Sequence, residues 1–256
     1  MKIKIDKKTS YEFSGYELTI NTKILTHEIF QYIVDEIFDP ISNIRINSKV
    51  IESIGQIDIS DEALYCGSYP SLDLSDNGIE CLDNIVFPEK IKFLRLDNNN
   101  IDSINGVKFP KRMSKLWLND NAISCLYGVK FPGVLRKINL SRNNIETLKS
   151  AKFPKKLVDL DLRYNKLRKL DDFVFPEHLQ SIELMFNHVE TINSVSFPSN
   201  IKKIGLRGNE LKNVDVAKLP ESLDSIDLFE IPGLKVRNIS KVNFSVFTDD
   251  KVHNYP

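Results

Sequence analysis

The chain has 256 residues, 41% hydrophobic and 27% charged, and its 35 basic and 35 acidic side chains cancel to a formal net charge of zero. That composition is the one expected of an ordered soluble protein, and a zero balance gives nucleic acid or an acidic membrane no global charge to respond to. No apolar stretch approaches the roughly 20 residues a helix needs to cross a bilayer, and MKIKIDKK has no apolar run behind its basic residues, so neither a membrane anchor nor a secretory signal is expected.

Taken in order, residues 2–6 (KIKID) and 16–20 (YELTI) alternate apolar and polar, as half-buried strands do. The polar run 7–10 and the pair Ser14-Gly15 supply turns. Thr26 suits the N-cap of a helix that ends before Asp39-Pro40. Along it Ile29, Phe30, Ile33, Val34, Ile37 and Phe38 recur at i, i+3, i+4 spacing and form one apolar stripe. Hairpin and helix together, residues 1–40, are expected to cap the rest of the chain.

From Tyr65 onward the chain is repetitive. Copies of one pattern begin at Tyr65, Phe87, Phe109, Phe131, Phe153, Phe175, Phe197 and Leu219, each 22 residues after the last and without insertion. In residues 109–130, Leu116 and Leu118 alternate, Asn121 comes three residues later, and Ile123, Leu126 and Val129 come next. A fixed period of 20 to 50 residues marks a solenoid. The spacing L-x-x-N-x-I-x-x-L after an alternating pair resembles the leucine-rich repeat superfamily, in its 22-residue subclass typified by a regulatory subunit of a type-1 protein phosphatase. The resemblance implies an α/β repeat fold: a right-handed solenoid with a curved parallel sheet of about nine strands and an extended or 3-10 convex side.

Residues 44–54 (IRINSKVIESI) lie over residues 94–104 with both strand anchors matched and Lys49 in place of Asn. An irregular first repeat is therefore expected over 37–64, overlapping the end of the cap and opening an array assigned to 41–230. In the eighth regular copy Ile231 replaces the Asn and Pro232-Gly233 breaks the pattern, so 231–256 should form a C-terminal cap and tail, with one strand around Val242, Phe244 and Val246.

Each residue type has a physical reason to be there. The alternating leucines point inward from short strands that bond coil to coil. The sharp bend after each strand leaves backbone groups that a sheet cannot satisfy. Asn77, Asn99, Asn121, Asn143, Asn165, Asn187 and Asn209 stand at that bend, and an amide carries both donors and an acceptor. Phe87, Phe109, Phe131, Phe153, Phe175 and Phe197, each followed by Pro, should stack as a column on the convex half of the core. Pro fixes φ and lacks an N–H, which disfavours a full helix there. The Phe-Pro element is similar to the L-P-x-x-L of bacterial effector leucine-rich repeats, although those repeats are typically 20 residues long.

No Gly-rich phosphate loop, nucleophile elbow or paired Cys–His metal spacing appears, so no enzyme activity, metal or cofactor is expected. Asp159 and Asp161 read as a solvated pair on one strand face, balanced by Arg163. The three cysteines give no disulfide framework: Cys81 and Cys125 sit in repeats two apart, about 10 Å at strand spacing and beyond bridging distance. A reducing, cytoplasmic location is expected, with N-x-S sequons at Asn238 and Asn243 the one contrary sign.

Function in such an architecture belongs to the concave face. Between and beside the inward leucines this face carries Phe93, Arg95, Lys115, Trp117, Lys137, Asn139, Asp161, Arg163, Tyr164, Glu183, Met185, Phe186 and Arg207. Aromatics, Met and Arg are the types enriched in protein interfaces. Two clusters stand out, Phe93–Arg95–Lys115–Trp117 and Arg163–Tyr164–Met185–Phe186–Arg207. The expected partner is a protein, not nucleic acid or membrane, and the chain is expected to be a monomer. An alternative comes from residues 25–40, which resemble the first helix of an F-box: Leu25, Glu28, Ile29, Ile33 and Ile37 match. Thr26 replaces the usual Pro, and the downstream helices with their Cys and Trp are missing. That resemblance implies a substrate receptor of a ubiquitin ligase.

Overall fold

The computed structural model describes residues 10–14, 17–25, 43–51, 71–83, 85, 87, 89–170, 173–249 and 252–253. The strand expected at 2–6 and the helix expected from Thr26, with its F-box resemblance, lie outside them. The chain divides into two compact units, one of Met1–Ala122 with Val129–Leu135, the other of Ile123–Gly128 with Arg136–Pro256.

In the first unit, β1 (Ser10–Ser14) pairs antiparallel with β2 (Glu17–Leu25) as a hairpin. β2 runs parallel to β3 (Asn43–Ile51), which runs parallel to β4 (Ser71–Asp73), with Ile44 opposite Leu72. β5 (Phe93–Arg95) and β6 (Lys115–Trp117) continue the parallel series in 22-residue register, Leu72 opposite Leu94 and Leu94 opposite Leu116. The strand expected at 16–20 thus extends to Leu25. It buries Ile20 completely, as β3 buries Ile46.

The second unit repeats the arrangement with β7 (Lys137–Asn139), β8 (Asp159–Asp161), β9 (Ser181–Glu183), β10 (Lys203–Gly205), β12 (Ser225–Asp227) and β14 (Ser245–Phe247), all parallel. β15 (Val252–His253) closes antiparallel on β14. A separate parallel pair joins β11 (Asn213–Asp215) to β13 (Lys235–Arg237). Short 3-10 turns occur at Val216–Lys218 and Ile239–Lys241. Elsewhere in the described residues of both units, the segments opposite the strands are turns and extended chain.

The inward positions hold the core: Leu94, Leu96, Leu116 and Leu118 in the first unit, Leu160, Leu162, Ile204 and Leu206 in the second, all fully buried. At each bend the asparagine satisfies several backbone groups. Asn99 Nδ2 donates to Leu74 O and Leu96 O, both at 2.9 Å, while its Oδ1 accepts from Asn77 N at 3.1 Å and Ile79 N at 2.9 Å. Asn187 does the same for Leu162 O, Leu184 O and Leu167 N.

The residue before each asparagine is left-handed. Asp76, Asn98 and Asp120 in the first unit have φ of 55–61°, and Arg142, Tyr164 and Phe186 in the second have φ of 54–57°. Gly208 continues this column at 65° and Glu230 at 55°. Asp, Asn and Gly take that conformation readily; bulky residues do so at a cost.

Phe87, Phe109 and Phe131 stack nearly parallel in the first unit, with ring centroids 6.3 and 6.2 Å apart. In the second unit the column departs from that pattern. Phe173 stands where Val107, Val129 and Val195 stand in other repeats. Its ring is edge-on to both Phe153, at 5.7 Å, and Phe175, at 4.7 Å. Phe131 and Phe153 are only half-buried, so the column is less enclosed than the sequence suggests. In the repeats from Pro110 to Pro220 the proline carbonyl opens a tight turn, as in Met113 N to Pro110 O and Leu157 N to Pro154 O, both 3.0 Å.

Candidate binding face

Alternation along each three-residue strand puts one side chain into the core and its two neighbours on the open face of the sheet. On the first unit this face gathers the first expected cluster. Phe93 meets Trp117 edge to face at 6.3 Å, and Lys115 Nζ lies 4.7 Å from the Phe93 ring centre. Arg95 beside them is engaged by carboxylates: Nε and Nη2 donate to Asp97 at 3.1 and 2.9 Å, and Nη1 forms a longer ion pair with Asp73 at 3.8 Å. The hydrogen bonds to Asp97 raise the Arg95 pKa above its ordinary value.

On the second unit the face is also largely self-neutralised. Lys137 pairs with Asp159 at 2.7 Å, Lys203 with Glu183 at 2.6 Å, and Arg207 with Asp227 at 3.3 Å. Arg163 grips Asp161 with Nε and Nη2, the latter at 2.6 Å, and this hydrogen bonding raises its guanidinium. Asp161 corrects the expectation of a solvated acid: it is only 8% exposed, because Arg163 and the bend's own N–H turn it inward. Asn139 is likewise occupied locally, accepting from the Ser141 N–H and hydroxyl.

What remains on this face is aromatic. The Arg142 guanidinium lies 4.5 Å from the Tyr164 ring centre, and Tyr164 stacks on Phe186 at 4.6 Å with planes 13° apart. Phe186 in turn lies across Gly208, where an added Cβ would sit 2.6 Å from its ring. Gly205 plays the same part for Glu183 and Met185; a Cβ there would overlap the Glu183 carboxylate. Arg207 rests 5.0 Å from the Phe229 ring centre. The ladder Arg142–Tyr164–Phe186 therefore occupies three consecutive bulky positions of the left-handed column, of which Glu230 is a fourth, separated from them by Gly208. Tyr164 is 41% exposed. Arg142, Gly205 and Phe229, which the repeat spacing already puts on the open face without naming them as partner contacts, belong to this surface, and so does Gly208, which the sequence reading did not single out. The signal was the column's residue types: Asp76, Asn98, Asp120 and Gly208 all favour a left-handed backbone.

No group of His, Cys, Asp and Glu suited to a metal occurs among the described residues. No helix among them is long and apolar enough to cross a membrane. Cys81 and Cys125 are free and exposed; each Sγ accepts a backbone N–H two residues on, at 3.3 Å, as Ser103, Thr147 and Thr191 do at equivalent positions.

Residues 133–189 match the leucine rich repeat family. Among solved structures the chain is similar to an internalin (inlF) from Listeria monocytogenes, with 17% identity and a TM-score of 0.61 over 84% of this chain and 59% of that one. Family and fold both support the leucine-rich repeat superfamily. A Shigella effector leucine-rich repeat domain aligns with 17% identity and a TM-score of 0.54, over 71% of this chain and 82% of that one. A TLR13–ssRNA13 complex aligns with 20% identity and a TM-score of 0.62, over 83% of this chain and 36% of that one. The chain thus spans little more than half of the internalin structure and about a third of the TLR13 chain. None of the curated proteins matches it in sequence. At these identities the likeness is one of leucine-rich repeat fold.

Proposed function

We propose that the chain is a non-catalytic protein-interaction module that holds its partner on the open, concave face of the leucine-rich repeat sheet. The stacked ladder Arg142–Tyr164–Phe186 carries this reading. Three consecutive bulky side chains accept a left-handed backbone costing about 1–2 kcal/mol each in a column where Asp76, Asn98, Asp120 and Gly208 stand in four other repeats and Glu230 in a fifth. Strained residues of this kind collect at binding sites, where other interactions hold them. Self-pairing of the surrounding charges leaves aromatic contact as the main source of affinity, and rigid aromatic anchors dominate interface energetics. The free, exposed Cys81 and Cys125 support a reducing, cytoplasmic setting.

The test is a pull-down with purified wild type and Tyr164→Ala, then calorimetry on each protein retained by wild type. The expected result is a partner bound by wild type and weakened at least tenfold by the variant, with unchanged circular dichroism. Partners that bind both proteins equally would move the site off this ladder.

A further inference from the structure

The neutral chain hides a concentrated block of charge: residues 108–156 hold twelve Lys and Arg against two Asp and Glu. In the first unit, Lys115 from this block faces Phe93 on the open face. Lys108, Lys111, Arg112 and Lys130 instead lie on the opposite, Phe-Pro side, and all four are exposed. Among the described residues none of the four makes an ion pair. The neighbouring carboxylate of Glu89 is turned to the Lys111 backbone N–H at 3.0 Å.

We propose that the Phe-Pro side of the first unit is a second binding surface, on which Lys108, Lys111, Arg112 and Lys130 dock an extended acidic segment of a partner polypeptide. It stands independently of the open-face reading. Lys108 and Lys130 each precede a phenylalanine of one stacked pair, Phe109 and Phe131, whose ring centres are 6.2 Å apart. Lys111 and Arg112 occupy the turn that Pro110 opens between them in sequence. Alternate residues of an extended peptide repeat at about 6.6 Å. A peptide laid across the coils, with an acid at every second position, therefore presents one carboxylate to the cations of each successive coil. Nucleic acid fits less well. Single strands gain much of their affinity by stacking bases on exposed aromatic faces, and Phe87 and Phe109 here are buried at 3% and 7% exposure.

The experiment titrates the full chain against a labelled ten-residue peptide of alternating Glu and Ala, read by fluorescence anisotropy. Parallel arms use an alternating Gln–Ala peptide and a ten-nucleotide oligo-dT. Binding to the Glu–Ala peptide alone is expected, falling steeply between 50 and 300 mM salt as exposed charge contacts are screened. Lys111→Glu with Lys130→Glu should weaken it at least tenfold, and the neutral Lys111→Gln/Lys130→Gln pair by less. Lys235→Glu with Lys241→Glu, an equal charge change on exposed lysines of the second unit, should alter it less than twofold. Circular dichroism confirms that each variant is folded. The proposal is overturned by absence of Glu–Ala binding, by equal binding of the Gln–Ala peptide, or by equal loss in the Lys235/Lys241 control. Tighter binding of oligo-dT, lost in the same variants, overturns it in favour of nucleic acid.

Discussion

Asn99 shows how much one side chain does in this architecture. Its amide bonds three carbonyls and two N–H groups of two coils, all buried. Asn99→Ala strands these groups, each worth about 1–3 kcal/mol when left unpaired. We expect it to lower the urea midpoint markedly, while the exposed neighbour Asn100→Ala leaves it nearly unchanged; equal midpoints would refute the bend's role. Gly208 is the second residue to test. Ala there meets both a φ of +65° and the Phe186 ring at 2.6 Å, so Gly208→Ala should cost at least the 1–2 kcal/mol of a left-handed L-residue and displace the Tyr164–Phe186 stack, visible in near-ultraviolet circular dichroism. The asparagine column was legible in the sequence because its spacing and chemistry admit one reading. The left-handed column was only partly legible: Asp76, Asn98, Asp120 and Gly208 are types that favour that backbone, whereas Arg142, Tyr164 and Phe186 carry no such signal. Charge pairing at Asp161 was half legible: the partner Arg163 was evident, the burial was not, since burial depends on how the bend turns the carboxylate inward.

Among the elements, the phenylalanine column gives a graded expectation. Phe109, 7% exposed and flanked by Phe87 and Phe131, is enclosed on both ring faces. Phe109→Ala should cost about 3–5 kcal/mol as a large-to-small core change. The half-buried Phe153 should cost less on truncation, so denaturation of the pair measures how enclosure, not residue type, sets the contribution. The column itself was evident from the Phe-Pro period; its disruption by Phe173 was not, because sequence spacing cannot say which of two neighbouring rings wins the inner space. The β11–β13 pair was equally hidden behind Pro232-Gly233. There Asp215 caps the 3-10 turn at Val216–Lys218 and accepts from Asn238 Nδ2 at 2.7 Å. The Asn238 hydrogen bond, helped by the Ala217 N–H, lowers the Asp215 pKa. A depressed carboxylate contributes stability that is present above its unfolded pKa and lost as pH falls through the folded value. Asn238→Ala should therefore raise the Asp215 pKa in a carboxyl NMR titration and blunt the acid-side stability change. An unchanged titration would remove Asn238 from that role.

At the scale of the whole molecule, repeats couple mainly to their neighbours, so within each unit a surface feature is written by adjacent coils. On the open face of the first unit Trp117 is set edge-on to Phe93, with Arg95 held beside it by Asp97, and under the proposed function it is the candidate anchor there. Truncating a buried aromatic anchor commonly costs 2 kcal/mol or more at an interface, about a thirtyfold loss of affinity. Trp117→Ala should weaken partner binding by that order and leave the fold intact, because its ring packs on the open face and not in the leucine core. Arg95→Glu should act in the same direction, since it sets a third carboxylate beside Asp73 and Asp97. Glu177→Ala, on the Phe-Pro side, should leave affinity nearly unchanged. Calorimetry on the three variants, each checked by circular dichroism, decides the matter: loss in Glu177→Ala with none in Trp117→Ala or Arg95→Glu would assign the partner to the other side of the coils.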